Sequence, residues 1–387
     1  MIHILYLHAG AEMYGADKVM LDLIKGLDKT VFTPYVILPT EGVLVDALKK
    51  EGVRVMVIPY PIMRRKYFNP KGIIQYGLNL FKYANKIAKI AKKNKIDLIH
   101  TNTAAVLEGS IISRKLRIPQ LWSIHEIIVS PKIMYKVTSW LISRFSNQTV
   151  VVSNAVKNHL EKTGYFHNKP LKVIYNGVDS ERFNPNRDCD YLYEEWNIPR
   201  DAKIIGMVGR VNSWKGQSDF LTAANQIMEK YPSVYTVFVG AAFEGEEWRE
   251  KELNDKIAAS PYAERIINMG YRTDGEAIYA LFDIFVLPST NPDPLPTVVL
   301  EAMATGKPVV AYRHGGVCEM VKEDYNGLFA DVCNPADLAD KIELLLSDEA
   351  RRIEMGEHAR KRLLEQFSIN AYVRNFSDVY QKLIEEK

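Results

Sequence analysis

The chain has 387 residues, with 50 Lys/Arg against 47 Asp/Glu, 47% hydrophobic and 25% charged residues, and 3 cysteines. That is an ordinary composition for a soluble globular chain long enough for two domains; three unpatterned cysteines argue against a disulfide frame or a zinc site and point to a reducing compartment, and no apolar run approaches the roughly 18 residues of a membrane span. The near-balance of charge hides an asymmetry: residues 1–185 hold 27 basic and 13 acidic side chains, leaving 23 and 34 in the rest, so the first half suits an anionic surface.

Residues 2–7 are apolar and read as a buried first strand, not as a signal peptide, because no basic stretch precedes them. Gly10 and Gly15 follow, then a helix over 18–27. A strand, a glycine loop and a helix leave free N–H groups that can hold an anion, although the spacing is not the dinucleotide fingerprint. Strands recur at 35–38, 53–58, 98–101, 120–124, 149–152 and 172–175, mostly separated by helical stretches. The alternation predicts a parallel α/β sheet with ligands at the carboxyl ends of its strands. Within the basic stretch 63–94, Arg64-Arg65-Lys66 reads as a loop and 73–93 as an amphipathic helix. Lys82, Lys86, Lys89 and Lys93 share one face, and Leu80, Tyr83, Ile87 and Ile90 another. The lysine face reads either as solvated cover over a packed helix or as a patch for anionic lipid headgroups or a lipid-diphosphate acceptor. His125 directly follows strand 120–124. His8 and His100 also lie near strand ends, but no spacing supports a three-histidine metal site. Residues 185–200, polar and bounded by prolines, read as a linker.

The alternation restarts at strand 203–208. Gly209-Arg210-Val211-Asn212-Ser213-Trp214-Lys215-Gly216 follows, then a helix over 218–231. Arg210 offers a planar fork and Lys215 a point charge, a pair suited to phosphate oxygens; two exposed loop cations are the alternative. Strand 234–239 precedes an acidic segment, 244–252. Strand 265–269 leads into Gly270-Tyr271-Arg272, and a helix over 276–282 into strand 284–287. Prolines 292, 294 and 296 then stiffen a loop, a helix over 297–305 closes at Gly306, and strand 307–311 leads to Gly315-Gly316. The last strand is 327–330, followed by helices over 336–346, 350–367 and 371–385. Asp293 and Glu301 stand eight residues apart, about 12 Å along a helix. They suit different hydroxyls of one extended ligand, or else are a loop Asp and an exposed helix Glu.

Asp293, seven residues, then Leu300-Glu301-Ala302-Met303-Ala304, followed by Gly315-Gly316-Val317-Cys318-Glu319, resembles the signature of the retaining, sugar-nucleotide-dependent glycosyltransferases of family 4, which have the GT-B fold. Most members carry Glu where Asp293 stands, and many carry Gly where Pro296 stands. Tyr14-Gly15-Ala16-Asp17 is similar to their Gly-Gly-Ala-Glu loop with one glycine replaced, and Val151-Val152-Ser153-Asn154 and Asn176-Gly177-Val178-Asp179 resemble two further landmarks. The resemblance implies an α/β GT-B architecture of two Rossmann-like domains facing across a central cleft. Residues 1–180 would bind the acceptor, 181–370 the nucleotide-sugar, and 371–387 would return as a helix to the first domain. It also implies transfer of a glycosyl group from a nucleoside-diphosphate sugar to a hydroxyl of a glycan or lipid-linked acceptor, with retention, in bacterial-type surface polysaccharide or glycolipid assembly.

By the same resemblance the catalytic set is His125, Arg210, Lys215, Asp293 and Glu301. Gly15 and Gly209 line the donor, Arg210 and Lys215 hold its diphosphate, and His125 lies beside its sugar. Tyr271 and Arg272 flank the base, Asp293 orients sugar hydroxyls, and Glu301 holds the ribose. Backbone groups at Leu295, Pro296, Thr297 and Val298 meet donor oxygens from a helix N-terminus, and Glu319 supports the nucleotide side. Charge growing on the diphosphate falls to Arg210 and Lys215, so no metal or other cofactor is expected, nor a nucleic-acid partner. The expected location is cytoplasmic and peripheral, on the inner face of the cell membrane. Two other readings compete. One is another GT-B enzyme, such as a nucleotide-sugar epimerase or a phosphorylase. The acid-x7-Glu stretch argues against the epimerase, and the lack of a pyridoxal-phosphate lysine segment against the phosphorylase. The other is a non-catalytic sugar-nucleotide-binding subunit.

Overall fold

The computed structural model describes residues 1–64, 67–129 and 131–386; Arg65 and Lys66 of the expected basic loop lie outside the described residues. The chain divides into two compact units, Met1–Gly177 with Ile369–Lys387, and Val178–Ser368.

The first unit is built on seven strands: β1 (Ile2–Leu7), β2 (Phe32–Leu38), β3 (Arg54–Val57), β4 (Leu98–Asn102), β5 (Gln120–Ile124), β6 (Gln148–Val151) and β7 (Leu171–Val173). Between them run α1 (Gly15–Gly26), α2 (Val43–Lys50), α3 (Pro70–Lys93), α4 (Glu108–Leu116), α5 (Lys132–Phe145) and α6 (Asn154–Glu161). The sheet order is β3-β2-β1-β4-β5-β6-β7, and every pairing is parallel. β1 explains the apolar run that marks it: Ile4 and Tyr6 enter one core, Leu5 and Leu7 the other. A strand covered on both faces has no solvated side to write in polar residues. α3 begins at Pro70 because Asn69 caps it, accepting a hydrogen bond from the Gly72 N–H, and proline suits the first turn. Its lysine face is exposed, while Ala84, Ile87, Ala88 and Ala91 are buried.

The second unit repeats the plan with α7 (Asp190–Glu195), β8 (Lys203–Val208), α8 (Gln217–Lys230), β9 (Val234–Val239), α9 (Trp248–Ala258), β10 (Ile266–Met269), α10 (Gly275–Leu281) and β11 (Ile284–Leu287). It continues with α11 (Thr297–Ala304), β12 (Val309–Tyr312), α12 (Val317–Met320), β13 (Gly327–Ala330), α13 (Pro335–Ser347) and α14 (Glu349–Gln366). Its order, β10-β9-β8-β11-β12-β13, is again all parallel. α7 corrects one expectation: residues 185–200 are not a bare linker, because Leu192, Trp196 and Ile198 are buried there. In each sheet the strand order reverses once, between β1 and β4 and between β8 and β11. The loops leaving those neighbours part in opposite directions and open a crevice at the carboxyl ends.

The final helix, α15 (Ile369–Glu385), belongs to the first unit. It buries Tyr372, Phe376, Val379, Tyr380 and Leu383 in the core that holds Tyr6 and Phe32. Such side chains contribute roughly 1.5–3 kcal/mol each when buried. The helix is also registered by polar contacts. The Tyr6 hydroxyl donates to the Tyr380 oxygen at 3.0 Å, His100 Nδ1 meets the same hydroxyl at 2.8 Å, and His100 Nε2 meets Ser123 Oγ at 2.8 Å. Tyr380→Phe leaves two buried groups without that partner, and we expect a loss of about 1–3 kcal/mol. The check is a lower urea midpoint at unchanged slope; no shift would show that the hydroxyl chain does not hold the helix.

Candidate active site

The reversal between β8 and β11 puts two distant loops side by side. In the loop after β8, Asn212 Oδ1 accepts from the N–H groups of Trp214 and Lys215 at 3.0 and 2.9 Å, a side-chain turn that fixes the backbone. The Arg210 carbonyl is anchored by Gln217 Nε2 at 2.9 Å. The Trp214 carbonyl accepts from the Thr290 N–H at 2.7 Å, which joins this loop to the one after β11. Gly216 closes the turn with φ at 81°, and a Cβ there would lie 1.9 Å from the Pro288 carbonyl oxygen, so only glycine lets the loops meet.

Held in this way, Lys215 donates to both oxygens of Asp293, at 2.8 and 2.9 Å. Ser289 Oγ donates to Oδ2 of the same carboxylate at 2.7 Å. Both charged side chains are largely buried. The Asp293 backbone is fixed from the other side by Gly315-Gly316. The Gly316 N–H donates to the Asp293 carbonyl at 2.7 Å, and a Cβ on Gly316 would meet the Pro294 oxygen at 2.0 Å. Two turns of sequence separated by about a hundred residues therefore hold one ion pair at the crevice. Arg210, on the same loop, lies over the Phe243 ring at 3.3 Å from its centre.

α11 starts beside this pair, with Leu295 and Pro296 buried and Thr297 and Val298 half-buried. No side chain caps its first turn, so its N–H groups face whatever the crevice holds. Glu301 is 5% exposed, inside the same helix. Burial, with the Glu301 charge as a second cause, holds the neighbouring Tyr279 hydroxyl well above its usual pKa. Gly209 ends β8. Tyr271 is exposed in the loop after β10. The Arg272 guanidinium, expected beside a base, pairs with Glu195 at 2.6 Å and Asp274 at 2.6 Å. Those two hydrogen-bonded carboxylates raise its pKa still further, and the Arg272 partner holds Asp274 down at about 2. Glu319 sits half-buried in α12, where its carbonyl accepts from Arg362.

The first unit carries a second polar cluster at its own strand reversal. His125 Nε2 donates to Asn102 Oδ1 at 2.7 Å, and Asn102 Nδ2 donates to His8 Nδ1 at 2.9 Å. His8 Nε2 donates in turn to Asp17 Oδ1 at 2.5 Å, while Asp17 Oδ2 accepts from the Tyr14 N–H at 2.7 Å. The run crosses the ends of β1, β4 and β5 and reaches the first turn of α1, which begins at Gly15. Met13 and Thr103 flank it with φ of 77° and 90°; non-glycine residues hold that strained region only where surrounding structure enforces it. Burial, and then the nearby His8, lowers the His125 pKa to about 3. Burial likewise raises the carboxyl of Glu126, which accepts from the Ala104 and His125 N–H groups at 3.2 and 3.1 Å. Among the described residues, no three His, Cys, Asp or Glu side chains are grouped to hold a metal ion.

Two family models match this chain: Glycosyltransferase Family 4 over residues 13–182 and Glycosyl transferases group 1 over residues 192–362. The chain belongs to the family 4 glycosyltransferases. Spore coat protein SA of Bacillus subtilis (strain 168) is 26% identical over 349 residues, 86% of this chain and 91% of that protein. The UDP-Gal:alpha-D-GlcNAc-diphosphoundecaprenol alpha-1,3-galactosyltransferase of Escherichia coli is 24% identical over 383 residues, 95% and 96% of the two chains. The crystal structure of Anabaena HepE in complex with UDP and glucose is 25% identical, covers 98% of this chain and 100% of its own, and superposes with a TM-score of 0.85. Two Rossmann-like units of parallel strands make this glycosyltransferase a GT-B protein. Of the residues legible in the sequence of this family 4 glycosyltransferase, Lys215, Asp293, Arg210 and Glu301 are gathered by the second unit around β8, β11 and α11. Ser289, Asn102 and Asp17, which hydrogen-bond to Asp293, His125 and His8, were not legible as partners of those residues. Their signal was their place: Asn102 ends β4, Ser289 lies two residues past β11, and Asp17 sits in the first turn of α1.

An unfolded chain protonates His125 near pH 6.5, whereas the folded chain resists protonation down to about 3. Between those values the unfolded state holds more protons, so stability falls as pH falls through the window. His125→Gln is expected to flatten that acid slope in urea unfolding followed from about pH 6.5 to about 4. An unchanged slope would contradict a neutral, half-buried His125.

Proposed function

We propose that this glycosyltransferase moves a sugar from a nucleoside-diphosphate sugar, with retained anomeric configuration, to a hydroxyl of a glycan or lipid-linked acceptor in surface polysaccharide or glycolipid assembly. The observation that carries this reading is the Lys215–Asp293 pair set between the β8 and β11 loops, with Arg210 on the same loop and the uncapped start of α11 beside it. A diphosphate entering there gains Lys215, Arg210 and the first N–H groups of α11, and competes with Asp293 for the ammonium. Negative charge grows on the leaving diphosphate as the glycosidic bond breaks, and preorganised cations stabilise it more in the transition state than before it. Asp293, relieved of Lys215, accepts hydrogen bonds from sugar hydroxyls. Glu301 takes the ribose hydroxyls, and Tyr271 flanks the base. In the first unit, burial keeps the His125 ring neutral and Asn102 holds its proton on Nε2, which suits Nδ1 to accept from a sugar hydroxyl.

In this reading the donor is a UDP-sugar, supported by the UDP bound to Anabaena HepE and the UDP-Gal in the name of the Escherichia coli relative. That relative's diphosphoundecaprenol acceptor supports an acceptor of the same kind here. The reaction as read needs no metal and no protein nucleophile.

The test is release of UDP from UDP-sugars by the purified protein. Arg210→Ala is expected to lower turnover by roughly 10²–10³, and Glu301→Ala to weaken donor binding, with both variants folded. Lys215→Ala is a poorer probe, because it strands a buried carboxylate and is destabilising by about 3–5 kcal/mol. Saturable UDP-sugar binding without UDP release, in the presence of polyprenyl-diphosphate glycan acceptors, would identify a non-catalytic binding subunit and defeat the proposal.

A further inference from the structure

The loop between β9 and α9 stands against Arg210. β9 neighbours β8 on the side away from β11, so this loop flanks Arg210 from one side, while the loop after β11 and the start of α11 lie towards the other. Hydrogen bonds on either side of Arg210 join the β8 and β9 loops. The Gly209 N–H donates to the Val239 carbonyl at 2.9 Å, and the Val211 N–H to the Ala241 carbonyl at 3.0 Å. Phe243 follows two residues later, on a turn with its own supports. Glu250 of α9 accepts from the Ala242 N–H, Glu247 accepts from the Gly245 N–H at 2.9 Å, and the Glu246 N–H donates to the Phe243 carbonyl at 2.8 Å. The Glu246 carboxylate accepts from Arg249 at 2.9 Å. The ring this turn presents is 45% exposed, too open to be core, and its centre lies 3.3 Å from Arg210 Cζ.

That distance fixes an orientation. With resonance-shortened C–N bonds of about 1.33 Å, an edge-on guanidinium would bring a nitrogen within roughly 2.6 Å of the ring, well inside contact distance. The group therefore lies flat on the ring. A flat stack engages the guanidinium face, while its N–H donors stay in the plane and keep the fork that matches phosphate oxygens. A carboxylate in the same place would also hold the arginine, but by taking that fork and offsetting its charge. The nearby Glu246, Glu247 and Glu250 are instead bonded to groups of their own segment. A ring against Arg210 limits the freedom of a long side chain before any ligand arrives, and preorganised charge is worth most where charge develops. Taking Arg210 as the diphosphate ligand of the proposed reaction, we propose that Phe243 is its positioning residue. The ring sets the plane of the guanidinium so that its fork meets the diphosphate, and Phe243 acts through Arg210, not on the donor.

The experiment is calorimetric titration of the full chain with UDP, arranged as a double-mutant cycle. Phe243→Leu keeps an apolar side chain but removes the aromatic face, and is expected to raise the Kd for UDP about fivefold. Phe243→Tyr, which keeps the face, is expected to restore it. In an Arg210→Ala background, itself a weaker binder, Phe243→Leu is expected to change the Kd by less than about twofold, because the two side chains act as one unit. Melting at the wild-type temperature shows that the variants fold, as expected for a ring this exposed. If Arg210→Ala weakens UDP binding but Phe243→Leu binds as wild type, the positioning role is overturned and the reading of Arg210 stands. The same follows if Phe243→Leu costs as much without Arg210 as with it. UDP that fails to bind the wild type, or that binds Arg210→Ala as tightly, would instead overturn the reading of Arg210 and the positioning role with it.

Discussion

The ion pair between Lys215 and Asp293 is the constraint around which the second unit is arranged. Two buried charges are favourable only when geometry and neighbouring hydrogen bonds offset their lost hydration. Here the ammonium faces both carboxylate oxygens and Ser289 adds a third contact. Everything nearby keeps that geometry. Asn212 fixes the turn that presents Lys215, Gly216 lets the β8 loop touch Pro288, and Gly315-Gly316 grip the Asp293 backbone from behind. A pair so placed is a store of matched charge that an anionic ligand can divide. In the proposed reaction its cation goes to the phosphates and its carboxylate to hydroxyls.

The first unit follows a different principle at the equivalent place. Its cluster is a polar relay: two imidazoles and an amide in series, ending on one carboxylate, with His125 kept uncharged chiefly by burial. His100, close by, is held far below its usual pKa for the same reason, and it is spent on holding α15. Three histidines near the ends of three strands thus divide into two jobs. Two belong to the polar run at the reversal and one to the packing of the last helix.

Much of the fold was legible because a strand buried on both faces writes itself locally, as an apolar run bounded by glycine or polar residues. Residues 2–7, 120–124, 203–208, 234–239, 284–287 and 327–330 are strands at those bounds. The acid-x7-Glu spacing was legible for the same reason, being local. The pairing of Lys215 with Asp293 was not, since the two lie 78 residues apart and meet only because β8 and β11 are neighbours in the sheet. The Asn102 bridge between His8 and His125 depends likewise on the order β1-β4-β5. Arg272 is a third case. Its position after β10 suggested a place beside the base, and nothing in the local sequence signals that Glu195 on α7, 77 residues away, pairs with its guanidinium.

The most direct measurement is a crystal structure of the protein with an intact, unreactive UDP-sugar analogue. The account predicts Lys215 Nζ and the Arg210 guanidinium on diphosphate oxygens, Glu301 on the ribose, and Asp293 parted from Lys215 and turned to the sugar. A bound analogue that leaves the Lys215–Asp293 pair closed, with its phosphates held elsewhere, would contradict it.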